Sequence, residues 1–143
     1  MAEAAARPAV EATIAELEEG FALFDDWEDR YRYLMELGRE LAPLPPEAMV
    51  DANRVSGCQS RVWLTTRLED GRLRLGAASD AAFVQGILAL MLRVLDDRTP
   101  AEILGAGTDF LARLGLGEML SLSRRNGAAA VLARIQAAAR AAA

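Results

Sequence analysis

Cys58 is the one thiol of the chain, and it stands in the segment Ser56-Gly57-Cys58-Gln59-Ser60. A lone cysteine is most often a small buried hydrophobe. Its neighbours here argue otherwise: they are small and polar, and they separate two stretches that read as β-strand, so the segment is a loop. Gly57 gives the backbone the freedom to present a sulfur at a loop tip. Arg54 and Arg61 flank the loop and would favour a thiolate. An unperturbed thiol has a pKa of about 8.5 and is only slightly ionised at neutral pH. The chemistry open to it is that of a modest nucleophile meeting a reactive electrophile.

Other chemistries drop out on composition. The 143 residues include no histidine and no lysine, all 16 basic residues being arginine. Without imidazole there is no Ser-His or Cys-His catalysis. Without lysine there is no Walker A phosphate loop and no pyridoxal Schiff base. One cysteine gives no internal disulfide, no Cys-x-x-Cys pair and no thiolate metal cluster, so neither a cofactor nor a metal is expected on this chain. The 21 acidic residues leave a net charge of −5, which argues against nucleic acid as a partner. Gly105-Ala106-Gly107-Thr108-Asp109-Phe110 has a passing likeness to a dinucleotide fingerprint. It follows a helical pattern and lacks the third glycine, so it reads as a helix-ending loop.

The elements that must position Cys58 follow from spacing. Residues 1–12 are alanine-rich and read as a frayed start to a single domain spanning 1–143, with a helix over 13–19 ending near Gly20. Asp26 with Asp29 marks the next helix start. Behind it Trp27, Tyr31, Leu34, Met35, Gly38 and Leu41 form an apolar stripe, stopped by Pro43, Pro45 and Pro46. Alternation over 62–68 predicts a half-buried strand, and Asp70-Gly71 predicts a type I′ hairpin. That turn sets Glu69 opposite Arg72, Leu68 opposite Leu73 and Thr66 opposite Leu75, but also Arg67 opposite Arg74, a like-charge pair. Residues 53–56 would add a third short strand. Ser79-Asp80 reads as a helix start with its carboxylate at the positive end of the dipole.

The helix that follows, through Leu95, is apolar nearly all round and should be the central core helix. Its apolar run, 81–95, is interrupted by Gln85 and Arg93 and is too short to cross a bilayer. With no apolar leader at the N-terminus, no membrane partner and a reducing cytoplasm are expected. Thr99-Pro100 is a cap with proline at the first helical position, ahead of Ile103 and Leu104. Phe110, Leu111 and Leu114 form a further turn. Ser123 or Asn126 opens a last helix whose inner face is Val131, Leu132 and Ile135. The class is α+β, a small antiparallel sheet of about three strands covered by helices.

Asn53-Arg54-Val55-Ser56-Gly57-Cys58-Gln59-Ser60-Arg61-Val62-Trp63-Leu64 resembles the active-cysteine signature of the SufE family of sulfur acceptors. Ser79-Asp80-Ala81-Ala82 resembles that family's second block. Ser123-Arg124, with Gly127 after it, resembles the third, and the pattern from Trp27 to Gly38 is similar as well. The resemblance runs from about residue 23 to 135. Arg61 and Leu122 depart from it, standing where a smaller polar residue and a proline are expected, and the hairpin turn is shorter than in some relatives.

The resemblance implies an IscU-like fold and an activator of a pyridoxal-dependent, SufS-type cysteine desulfurase. Cys58 would take the terminal sulfur of the desulfurase's persulfide and pass it to an iron–sulfur scaffold. The pyridoxal cofactor would belong to the partner, so the chain would be a sulfur carrier and not a stand-alone enzyme. Gly57, Gln59 and Ser60 would support the loop, with Trp63 packed against it. Asp80 would bias the loop's resting position, and Arg124 would contact the partner. Val55, Val62 and Trp63 would shelter the sulfur at rest. The alternative is a non-covalent interaction module that stimulates a partner enzyme while Cys58 only packs.

Overall fold

In the computed structural model, residues 8–58, 60–116 and 120–143 are described, the side chain of Ser123 aside. Helices α1 (Val10–Ala22) and α2 (Trp27–Glu40) lead, through single 3₁₀ turns at Pro46–Ala48 and Asp51–Asn53, to the hairpin β1 (Val62–Glu69) and β2 (Arg72–Ser79). Then come α3 (Ala82–Leu95), α4 (Pro100–Ala106), α5 (Phe110–Arg113) and the long α6 (Leu122–Ala142). Of the 14 residues of α3, nine are buried, which makes it the axis of the core. Leu34, Leu37 and Gly38 of α2 pack on it, while Trp27 and Tyr31, expected on the buried stripe, are exposed. The helices touch backbone to backbone: a Cβ on Gly86 would lie 2.6 Å from the Leu34 carbonyl oxygen. No helix of the described residues is long and apolar enough to cross a membrane.

The hairpin has the expected register, and Asp70 and Gly71 both take positive φ, as a type I′ turn requires. Arg67 and Arg74 do face each other, but Glu69 lies between them, 3.0 Å from Arg67 and 3.9 Å from Arg74. An isolated two-stranded ribbon is marginal in water. Here the outer edge of β2 is closed by Leu73 N–H donating to Arg98 O, Leu75 N–H to Asp96 Oδ1 and Ser79 N–H to Gln85 Oε1.

Four boundaries differ from expectation. Among the described residues the sheet has two strands, since 53–56 contributes only one bridge, Arg54 to Trp63, before Gly57 turns the chain away at φ 93°. Helix α1 begins at Val10 and continues through Gly20, which serves there as a packing notch and not a stop: a Cβ would lie 2.7 Å from the Tyr33 hydroxyl. The buried Arg98 fastens its start, donating to Pro8 O and Thr13 Oγ1. Helix α3 starts at Ala82, one residue too late for Asp80 to cap it. Helix α6 starts at Leu122 with Ser121 as its cap, ahead of Ser123 and Asn126. The stop after α4 is as expected, with Gly107 at φ 71°.

Candidate functional site

The Cys58 loop is clasped at both stems. Upstream, Arg134 of α6 donates to the carbonyls of Arg54 (2.8 Å) and Ala52 (3.2 Å). Downstream, Asp80 Oδ1 accepts the Arg61 backbone N–H at 3.1 Å, and its Oδ2 pairs with Arg61 Nε at 3.0 Å. The Asp80 N–H in turn donates to Arg61 O at 3.3 Å. The hydrogen bond from the Arg61 guanidinium holds the Asp80 carboxyl below its usual range. Asp80 is therefore a latch on the loop stem and not a helix cap. The guanidiniums of Arg54 and Arg61 both lie over the Trp63 ring, at 6.0 and 5.7 Å from its centre.

Between these stems the sulfur points inward. Cys58 is half-buried, and its Sγ donates to the Gly127 carbonyl of α6 at 3.6 Å. It borders a cavity of about 80 Å³ whose walls come from α3 (Phe83, Ile87, Met91), α6 (Gly127, Val131) and the β1 residue Val62. Ser60 lines the same space, and Gln59 lies outside the described residues. Burial pushes the Cys58 thiol up, the opposite of the thiolate that flanking arginines were expected to favour. Of the expected cover, Val62 lines the cavity while Val55 and Trp63 do not, and α3 and α6 supply most of its wall.

Among the described residues Arg124 is the one charged group lining this cavity, and its guanidinium lies 4.5 Å from the centre of the Phe83 ring. Phe83 stacks on Tyr31 at 5.3 Å and 20°. A larger groove of about 720 Å³, between α2, the proline segment, the hairpin and α3, contains no thiol, so volume does not pick the reactive site. No group of three or more metal-ligating side chains occurs among the described residues. What the arrangement can do is hold one neutral thiol in an apolar chamber with a single cation at its edge.

Sequence reasoning missed two residues that build this site, Arg134 and Phe83, and gave Gly127 no role. Gly127 is a notch: a Cβ there would sit 3.3 Å from Cys58 Sγ and 3.5 Å from its Cα. An isolated glycine inside a helical pattern was the available signal.

Known proteins resemble this chain over most of its length. Residues 15–139 match the family model described as "SufE: Fe-S metabolism associated domain". An uncharacterized SufE-like protein of Rhizobium meliloti (strain 1021) is 39% identical over 121 residues, covering 81% of this chain and 86% of its own length. A second, from Synechocystis, is 39% identical over 114 residues, covering 80% and 72%. The solution structure of a hypothetical protein from Thermus thermophilus superimposes with a TM-score of 0.77 at 28% identity, over 91% of this chain and 95% of that one.

Proposed function

The chain belongs to the SufE family of iron–sulfur metabolism, and on that premise we propose that Cys58 is a sulfur acceptor serving a pyridoxal-dependent, SufS-type cysteine desulfurase. The observation that carries this reading is the sole thiol set inside an apolar chamber on a loop latched at both stems. In the transfer, the Cys58 thiolate attacks the terminal sulfur of the donor's persulfide. A new S–S bond forms at Cys58 as the donor's own S–S bond breaks. The electron pair leaves on the donor cysteine, which takes up a proton to match the one Cys58 lost. This is thiol exchange and needs no histidine. With no lysine, the chain has no anchor for pyridoxal, so that cofactor stays with the donor.

A chamber of about 80 Å³ exceeds the roughly 30 Å³ that a water takes up in the liquid, which leaves room for one more sulfur. An apolar wall there would shield a persulfide until it passes to an iron–sulfur scaffold, and a reducing cytoplasm suits a carrier with one thiol. The decisive experiment incubates the protein with desulfurase and cysteine and weighs it intact. The expected result is a gain of about 32 Da on Cys58 that a reductant removes. Stimulation of the desulfurase with no such adduct would instead establish the non-covalent module.

Two variants probe the surroundings. Asp80→Arg breaks the latch and sets like charges side by side at Arg61, so Cys58 should react several-fold faster with iodoacetamide while circular dichroism stays unchanged. Equal rates would remove Asp80 from control of the loop. Arg124→Glu should weaken desulfurase association several-fold, more at low salt than at high, as expected of a charge on the interface rim. Unchanged affinity would leave Arg124 without a part in docking.

A further inference from the structure

We propose that Phe83 is a positioning residue: its ring holds the Arg124 guanidinium at the edge of the Cys58 chamber and makes that entrance selective for an anionic sulfur donor. This rests on the sulfur-acceptor reading and adds the charge state of the donor and the residue that selects it. The Phe83 ring is 5% exposed and braced by Tyr31, so it offers the cation a fixed face. Among the described residues the Arg124 guanidinium has no carboxylate partner, whereas neighbouring Arg125 is engaged with Leu120 O. The remaining described residues of the chamber lining are neutral. Among the described residues, then, a cation with no carboxylate partner lines the chamber that Cys58 borders.

The chemistry gives that placement a use. When the donor persulfide is ionised, two anionic sulfurs must meet: the Cys58 thiolate and the donor's terminal sulfur. The exchange leaves a Cys58 persulfide anion and a donor thiolate, so two negative charges stand on each side of the step. One fixed cation offsets their repulsion throughout.

The test uses two alkylating reagents of nearly equal shape, anionic iodoacetate and neutral iodoacetamide, on the intact chain. The ratio of their rates at Cys58 reports the charge at the entrance, and a mere loosening of the loop raises both rates together. Arg124→Gln should lower the iodoacetate-to-iodoacetamide ratio about threefold at low salt, and less at high salt. Phe83→Leu and Phe83→Met, which keep Arg124 but remove the ring, should lower it nearly as far; Phe83→Tyr should preserve it. If Phe83→Leu does not fold, the methionine variant alone decides. An unchanged ratio in the Phe83 variants, or in Arg124→Gln, overturns the proposal. Because no desulfurase or persulfide enters this measurement, its failure and the failure of sulfur acceptance are read separately.

Discussion

Cys58→Ser is expected to fold as the wild type does, to take up no sulfur, and to leave desulfurase turnover at its unstimulated level. The fold should tolerate the change because Cys58 is half-buried on a loop, outside the buried core. A serine hydroxyl there can still donate to the Gly127 carbonyl that now accepts from Sγ. The thermal midpoint should therefore move by an amount corresponding to about 1 kcal/mol or less. The chemistry has no such tolerance. A serine hydroxyl is barely ionised at neutral pH, and the chain has no histidine or lysine to activate it. No second cysteine can substitute. The measurements are the intact mass after incubation with desulfurase and cysteine, the rate of alanine release, and a melt to show that both proteins are folded. Stimulation by Cys58→Ser equal to that by wild type would defeat covalent transfer.

Much of the frame around that sulfur was legible because it is local. A two-residue turn fixes hairpin register, so Asp70-Gly71 determined every pair from Glu69–Arg72 outward. Thr99-Pro100 announced the start of α4, with Glu102 completing the capping box. The site itself is made of contacts between segments far apart in the chain, and there local reading went astray. Asp80, beside an apolar helical run, has the look of a cap, yet its partner is Arg61, 19 residues away. That contact was nevertheless implicit in the hairpin. Extending the pairing one step beyond Val62 and Ser79 brings Arg61 beside Asp80. Arg134 left no comparable trace, because nothing in the helical spacing of α6 says which loop lies alongside it. The third strand failed for a related reason. Residues 53–56 suit a strand locally, but Asn53 is tied to the Ala48 carbonyl and Gly57 turns the backbone at positive φ. What remains is the single bridge of Arg54 to Trp63, with Val55 N–H donating to Val62 O.

Replacing Gly127 should have the largest effect on exposure of the sulfur. The glycine sits within α6, where it weakens the helix relative to most other residues, so its use there calls for a reason in packing. That reason is the loop: the position a Cβ would occupy is 3.3 Å from Sγ and 3.5 Å from the Cys58 Cα. In Gly127→Val a branched side chain fills the notch. Core overpacking typically costs about 1–3 kcal/mol. Here the strain can be relieved by moving a loop, since the three atoms nearest the added Cβ all belong to Cys58. The side chain penalises the loop position seen here and not positions in which the loop has swung outward, so the population should shift toward the latter by about tenfold or more. Iodoacetamide should then modify Cys58 about tenfold faster at fixed pH. The pH dependence should move as well. Burial holds the thiol above its ordinary range in wild type, so the wild-type rate should climb late, at higher pH than for free cysteine. In Gly127→Val the burial is gone, and the rise should return toward the pH at which an exposed thiol ionises. Helical circular dichroism should be kept or slightly increased. An alkylation rate and pH profile matching wild type, in a folded Gly127→Val protein, would show that the notch does not govern the shelter.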